Sequence, residues 1–472
     1  MSNNTKNDIE ILESPYKLPE GWKWGRLGDF IDIYRGVSYK KTDVHSEKQQ
    51  NDCLIMRGGN IEEGNINIDA DNVYVDKSIV AESQFIKKND VIIVTSTGST
   101  KVIGRAGISN DNYSDVAFGA FLTLARPNGK ADKSFVNHYF QSSLYRERIR
   151  QLASGVNINN IRTDYITESP FPLPPNIEEQ QRIVNRIESM FAKLDEAKEK
   201  AQNVVDSFET RKAAILHQAF TGNLTAKWRK EQDCNNCNNT VLDDISSYSK
   251  NLSKKDFDNI SFFQQKVDNI QLSDGTIWSK CSVGAIGIVS NGSTPSRKMD
   301  TYWNGDIPWV SSGEVSNNII CNTKECITND GYDNSSVKML PKGTVLIAMI
   351  GEGKTRGQSS ILDIPATINQ NIAAINIEHG FIEPKFLWYW FQKEYKKNRT
   401  AGSGSGPQAL NCQRVRELDF IVPSLSEQQE IVRILDSVLE KESTSKSAAE
   451  QVLEQIDLLK KSILARAFRG EL

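Results

Sequence analysis

The chain has 472 residues, 53.0 kDa, with 38% apolar and 25% charged residues and a mean hydropathy of −0.47, too long for one ordinary core, so two or more domains are expected. Its 57 basic and 60 acidic residues give a net charge of −3, which excludes a wholesale basic surface and leaves nucleic-acid contact to local patches. No run of 18 apolar residues argues for a membrane span, residues 1–10 carry no apolar signal core, and seven irregularly spaced cysteines fit reduced thiols, so a soluble cytoplasmic protein is expected.

In chain order, an N-terminal extension (1–17) precedes a first domain predicted over 18–175. That domain opens with Leu18-Pro19-Glu20-Gly21 and Trp24, and its run Asp90-Val91-Ile92-Ile93-Val94 reads as a buried, β-branched strand. An aromatic-containing helix over 135–150 ends in basic residues and leads into a loop containing Ser154-Gly155-Val156-Asn157. A long helix is predicted within 176–229. It opens after a proline with the capping box Asn176/Glu179. Within it Ile183, Ile187, Met190, Leu194, Ala197, Ala201, Val204 and Phe208 alternate spacings of four and three, the pattern of a coiled-coil seam. Residues 230–271 are polar and poor in apolar pattern, and read as a linker.

A second domain is predicted over 272–423, opening with Leu272-Ser273-Asp274-Gly275 and Trp278. Thr344-Val345-Leu346-Ile347-Ala348 parallels the first buried strand. An aromatic-containing helix over 386–399 again ends in basic residues, followed by the run Gly402-Ser403-Gly404-Ser405-Gly406. The chain closes on a second long helix within 424–472, with the box Ser424/Glu427 and a seam of Ile431, Leu435, Val438, Val452, Ile456, Leu459 and Ile463. Glu442 and Ser445 interrupt that seam, so loose packing is expected there.

The two long helices are copies. Glu179-Gln180-Gln181-Arg182-Ile183-Val184 matches Glu427-Gln428-Gln429-Glu430-Ile431-Val432, and the match runs without a gap to Leu224 and Leu472, with 17 identities in 46 positions. Two unrelated amphipathic helices would share periodicity but not end signals and identities together, so the chain is read as an internal duplication. The helices kept their sequence while the domains drifted, as expected if the helices fit one kind of partner and each domain reads its own target.

Catalytic and metal signatures are weak. Residues 348–355 satisfy a permissive phosphate-loop pattern, but Arg356-Gly357 and Pro365 follow where a helix would have to open, so a turn between strands is predicted. Cys234-Asn235-Asn236-Cys237 has zinc-like spacing and no second pair nearby, and the four histidines show no metal-binding spacing; no metal site is predicted. There is no nucleophile elbow and no glycine-rich site for a nucleotide-type methyl donor, so no catalytic residue is assigned.

Any nucleic-acid contact would have to come from local patches of basic residues. Residues 18–172 hold 19 basic and 19 acidic side chains and residues 272–422 hold 15 and 14, so binding has to rest on clustering and on partners supplying further charge. Arg146, Arg148, Arg150 and Arg162 cluster around the first aromatic-containing helix; Lys393, Lys396, Lys397 and Arg399 do so in the second domain. Lys40 and Lys41, Arg297 and Lys298 lie in the early loops, and Lys354 and Arg356 in the glycine turn. Basic residues at a helix C-terminus also simply complement its dipole. Trp388, Tyr389 and Trp390 sit inside a predicted helix and are read as core rather than as base-stacking groups.

The order domain, Pro-x-x-x-Glu-Gln-Gln helix, domain, Pro-x-x-x-Glu-Gln-Gln helix resembles the specificity subunit of type I restriction–modification enzymes. So do Leu18-Pro19-Glu20-Gly21-Trp22, Gly292-Ser293-Thr294-Pro295, Thr367-Ile368-Asn369-Gln370-Asn371 and the closing Ala467-Phe468-Arg469-Gly470-Glu471-Leu472. The first domain departs from the pattern, with Arg35-Gly36-Val37-Ser38-Tyr39 in place of the Gly-x-Thr-Pro turn. The resemblance implies an α+β fold in which two target-recognition domains alternate with two long helices that pair as an antiparallel coiled coil, a pseudo-two-fold internal repeat. It also implies a non-catalytic subunit: each domain reads half of a bipartite double-stranded DNA site, two methyltransferase subunits dock on it, and restriction/translocase subunits join. S-adenosylmethionine, and ATP with Mg, would then be held by the partners and not by this chain. The competing reading is a structural coiled-coil adaptor joining two protein-binding domains.

Overall fold

The computed structural model describes residues 15–153, 160–232, 240–351, 353–400 and 410–472. They form two compact units, the chain up to residue 203 with 448–472, and residues 204–447. The loop at 154–157, the Gly402–Gly406 run and the Cys234/Cys237 pair lie outside the described residues.

In the first unit, Val91–Val94 is buried at every position, as an uninterrupted β-branched run requires. It lies inside an antiparallel sheet ordered Ile31–Arg35, Leu122–Pro127, Val91–Val94, Ala106–Ile108. A second sheet pairs Asp52–Met56 antiparallel with Tyr74–Asp76 and parallel with Val116–Phe118. The helices Lys133–Gln141 and Ser143–Ala153 bury Phe135, Tyr139, Phe140 and Tyr145 in the core of this unit. Lys23–Arg26 pairs with Pro170–Leu173, closing the domain where the long helix begins.

The second unit repeats this order. Ile288–Asn291, Ile372–Asn376, Val345–Ala348 and Ser359–Leu362 take the four sheet positions, with Ile319–Ile320 added at the edge. Trp303–Val310 pairs antiparallel with Glu325–Ile327 and parallel with Thr367–Ile368. The helix Pro384–Lys393 buries Trp388, Tyr389 and Trp390, which are core as predicted.

Of the linker expected over 230–271, the described part from residue 240 onward is instead folded. Helices Val241–Ser249 and Lys254–Gln264 carry Val241, Ile245, Ile260 and Phe263 into the core of the second unit, and Asp268–Gln271 adds a strand to Ile277–Ser282. The buried pairs Val241/Ile245 and Ile260/Phe263 have helical spacing, so each short helix turns one narrow apolar face to the core while the rest of the segment stays polar.

The two long helices span Ile177–Phe220 and Leu425–Phe468, 44 residues each, about 66 Å at 1.5 Å per residue. Within each unit a segment of one runs antiparallel to a segment of the other. In the first unit Arg182 donates to the Leu472 carbonyl at 2.7 Å and Lys460 to Asp195 at 2.5 Å, while Ile183 and Ile187 share a core with Leu464, Ala467 and Phe468. In the second unit Arg211 meets Glu442 at 2.7 Å, Lys446 lies over the Phe208 ring, and Phe220 shares a core with Ile431 and Leu435. Glu442 does not interrupt the seam; it supplies its ion pair.

The seam of the second helix differs from the expected one. Val452 and Leu459 are 39% and 49% exposed, and the covered positions are Ala449, Leu453, Ile456, Lys460 and Ile463. The four-three alternation holds but is displaced by one residue at Leu453 and Lys460, because the Lys460 ammonium reaches Asp195 across the Phe191 ring. Met190, Leu194, Val204 and Val438 are half-buried, whereas Ile183, Ile187, Ile431 and Leu435 are fully buried against the domains.

Each helix start keeps only half of its capping box. Glu179 N–H donates to Asn176 Oδ1 at 2.8 Å, but the Glu179 carboxylate turns to Arg182. Glu427 is buried and accepts from Thr225 Oγ1 at 2.7 Å, Trp278 Nε1 at 3.0 Å and Arg229, which also grips Asp274.

Candidate nucleic-acid interface

The strand registers place Arg35, Leu122, Val94 and Ala106 at one end of the first unit's sheet. The turns that leave this end are tied to one another. Val37 N–H donates to the Phe118 carbonyl at 2.8 Å; Thr95 and Ser96 N–H both donate to the Phe121 carbonyl at 3.1 Å; Ile161 N–H donates to the Thr95 carbonyl at 2.8 Å. Gly36 is required by close approach, since a Cβ there would stand 2.1 Å from the Gly119 oxygen.

The second unit builds the same end from different residues. Ser293 N–H donates to the Ile368 carbonyl at 3.0 Å, Met349 N–H to Asn371 at 2.9 Å and Leu410 N–H to Met349 at 2.9 Å. Gly292 abuts Ile368 as Gly36 abuts Gly119, and Thr294 hydrogen-bonds Gln370, so the Gly-x-Thr-Pro and Thr-Ile-Asn-Gln-Asn motifs meet. The first domain therefore retains the turn without its Thr-Pro pair. The tempting phosphate-loop pattern closes through Gly357, whose N–H bonds the Ala348 carbonyl, and continues as the strand Ser359–Leu362 rather than as a helix.

The basic clusters on the helices are largely committed inside the fold. Arg146 is 6% exposed, donates to the Ile103 carbonyl at 2.8 Å and pairs with Glu63, so it holds the 95–103 loop from beneath instead of facing solvent. Burial lowers its pKa, as it does that of half-buried Arg148, which donates to the Glu168 carbonyl. Arg399 takes the matching place in the second unit, donating to the Arg356 carbonyl at 3.4 Å, and Tyr395 Oη donates to the Lys354 carbonyl at 2.6 Å. Lys393 lies over the Trp390 ring and pairs with Glu394; Lys397 bonds Asp419 at 2.7 Å, which raises its pKa. Arg162 is exposed but bidentate to Asp164. Exposed Arg150 reaches the Lys101 carbonyl at 3.4 Å.

The side chains of Lys40, Lys41, Lys298, Lys354 and Lys396 are exposed, with no ion pair among the described residues. Arg356 is half-buried in its turn. Arg297 is exposed, pairs with Glu325 and lies 3.6 Å from the Trp303 ring centroid and 5.0 Å from that of Trp309. Glu325 is held below the usual carboxylate range by its bond to Arg297.

Residues 19–206 and 277–455 both match the family described as "Type I restriction modification DNA specificity domain". The chain belongs to this family. It is 26% identical to the StySPI specificity subunit of Salmonella potsdam, over 97% of this chain and 90% of that one, and 25% identical to the EcoKI specificity subunit of Escherichia coli, with the same coverage. The HsdS subunit from Thermoanaerobacter tengcongensis has the same fold, with a TM-score of 0.58 at 17% identity over 97% of this chain and 99% of that one. A chain from a type I R-M system studied for complex assembly reaches 0.64 at 18% over 97% of this chain and all of that one.

Two features of the site leave little trace in the sequence. Phe121 is 69% exposed at the tip of the first domain's turns, where periodicity marks it as one more apolar residue beside a strand. Gln180 and Gln428 are buried, and Gln180 Oε1 accepts the Asp132 N–H at 2.7 Å just as Gln428 Oε1 accepts the Glu383 N–H at 2.9 Å. Each glutamine thereby ties a long helix to the start of its domain's aromatic-containing helix. The signal was present in the repeated Glu-Gln-Gln; its partner, a backbone amide, leaves no trace in sequence. Among the described residues no group of three His, Cys, Asp or Glu is placed to hold a metal ion, and no helix is long and apolar enough to cross a membrane.

Proposed function

We propose that this specificity-family chain reads a bipartite duplex DNA site, each domain contacting one half through the tied turns at one end of its sheet. The observation that carries this is the recurrence of one turn scaffold with different exposed residues. The hydrogen bonds linking the turns recur at matching places, while the exposed groups change from Lys40, Lys41 and Phe121 to Arg297, Lys298 and Lys354. Fixed scaffolds with variable tips are how positions that read different sequences diverge.

The chain is non-catalytic in this reading. Methyltransferase subunits, two per chain by the repeat, dock along the paired helices and supply S-adenosylmethionine chemistry; restriction/translocase subunits bring ATP and Mg in the cytoplasm. The exposed Val452 and Leu459 on the second helix fit such docking. The helices set the gap between the half-sites. Adding one heptad to both, in register, lengthens the pair by about 10 Å, and the preferred gap should grow by about three base pairs. An unchanged gap in a methylation assay sinks the ruler.

Replacing residues 272–422 with the corresponding domain of another family member tests the reading. Methylation mapping should show one half-sequence exchanged and the other kept. A change in both halves would mean that recognition is shared between the domains.

A further inference from the structure

The second domain carries a preassembled arginine of unusual construction. Arg297 lies against two indoles that are themselves perpendicular, Trp303 and Trp309, with centroids 5.1 Å apart at 89°. Both indole N–H groups donate back to the segment bearing the arginine, Trp303 Nε1 to the Ser296 carbonyl at 3.2 Å and Trp309 Nε1 to the Ser293 carbonyl at 3.0 Å. Glu325 takes Nη1 and Nη2, the latter at 2.9 Å. Backbone, side-chain plane and guanidinium end are thus all fixed before any ligand arrives, so the ordering cost of a long side chain is already met.

Its charge and its donors point to different ligands. A guanidinium paired with a carboxylate offers little net charge to a phosphate, whereas Lys298 beside it carries no ion pair among the described residues. Directional donors survive the pairing. With Glu325 on the end-on edge, the Nε–H and an adjacent Nη–H remain as a parallel pair unused by any described residue. In duplex DNA the group that matches two parallel donors is the N7 and O6 edge of guanine in the major groove. Adenine offers one acceptor and one donor there, which repels half the fork.

We infer that Arg297, clamped by Trp303, Trp309 and Glu325, reads one guanine in the half-site contacted by the second domain. This rests on the proposal that the second domain contacts DNA through these turns, and it adds a base identity. The first domain has no counterpart to the clamp, since Lys40 and Lys41 stand exposed with no ion pair among the described residues.

The test is genome-wide methylation mapping of the complete methyltransferase complex carrying wild-type chain, Arg297→Ala or Arg297→Lys. The wild-type motif should contain a guanine in the half-site that moves with residues 272–422. Arg297→Ala should relax that single position about ten- to a hundredfold and leave every other position unchanged. Arg297→Lys keeps charge and stem without the fork, and should relax the same position. A second half-site with no G·C pair, or a motif unaltered by Arg297→Lys, overturns the inference. If Arg297→Ala fails to fold, methylation vanishes at all positions alike, and the lysine variant with the wild-type motif decides. Failure of the underlying reading looks different: exchanging residues 272–422 would then leave both half-sequences in place.

Discussion

The two halves of this chain share a scaffold and differ in what secures it. In the second unit, the entry of the long helix is locked by a buried set: Glu427 with Thr225, Trp278 and Arg229, and Arg229 in turn with Asp274. At the matching place in the first unit the Glu179 carboxylate pairs with Arg182 at the surface. The difference follows from what comes after each first-turn partner. Beyond Phe220 the chain places Thr225 and Arg229 against Glu427, whereas beyond Phe468 it places the Leu472 carbonyl against Arg182, the partner of Glu179. A duplicated sequence motif can thus keep its backbone role while its side-chain role is set by neighbours outside the repeat.

That contrast sets the largest expected effect. Glu427→Ala leaves Arg229 buried with one carboxylate partner fewer and orphans the Trp278 N–H, and should cost about 3–5 kcal/mol. Glu179→Ala removes a surface pair and should cost at most about 1 kcal/mol. Urea unfolding of both variants measures the difference, and equal costs would mean that the buried set is not what secures the second unit.

A second contrast is chemical. His138 and Tyr389 occupy matching places on the aromatic-containing helices, facing Glu188 and Asp436 at matching places on the long ones. Tyr389 donates to Asp436 at 2.6 Å, joined by Lys385, whereas His138 stands 3.9 Å from Glu188 with its Nδ1 buried and unpartnered. Burial pushes the His138 pKa down from 6.5 to about 4. The folded pKa lies below the unfolded one, so His138 favours folding above about pH 6.5 and this contribution is lost as pH falls toward 4. At 1.36 kcal/mol per pKa unit the loss approaches about 3 kcal/mol below pH 4. Hydrogen exchange should show the first unit loosening between pH 6.5 and 4.5 before the second, and His138→Phe should remove most of that difference. Identical acid profiles for both units, with or without His138, would break this contrast.

What the sequence made legible follows from range. The duplicated helices, the buried strand Val91–Val94 and the core aromatics Trp388–Trp390 depend on periodicity within a few residues, and those were readable. So was the pair of domains, through motifs repeated in order. Arg146 was not legible because a basic residue at a helix end has the same sequence signature whether it faces solvent or, as here, turns under a loop to bind the Ile103 carbonyl. The helices at Val241–Ser249 and Lys254–Gln264 leave little signature because each is short and completes its core against its neighbour and against residues 283–286, contacts that local periodicity does not show. The Trp303–Arg297–Trp309 arrangement depends on a strand bulge between Trp303 and Ile307 that no local pattern announces.

The smallest effect tests what the halves hold in common. Gln180 and Gln428 each present a buried carbonyl to a backbone amide that opens the neighbouring helix, at Asp132 and Glu383. Replacing either by Ala leaves that amide without its acceptor, a penalty of about 1–3 kcal/mol for an unsatisfied buried donor. The bond joins the element that sets spacing to the element that carries the reading turns, so its loss should also loosen domain orientation. In the methyltransferase complex, Gln180→Ala and Gln428→Ala should each broaden the accepted gap between half-sequences by about a base pair while leaving the half-sequences themselves intact. The two variants should act alike on the gap, since that bond is the same in both halves, although Gln428→Ala also frees the Pro423 carbonyl. A lower melting temperature with an unchanged gap preference would reduce these glutamines to ordinary packing contacts, and a changed half-sequence would place them in reading instead of alignment.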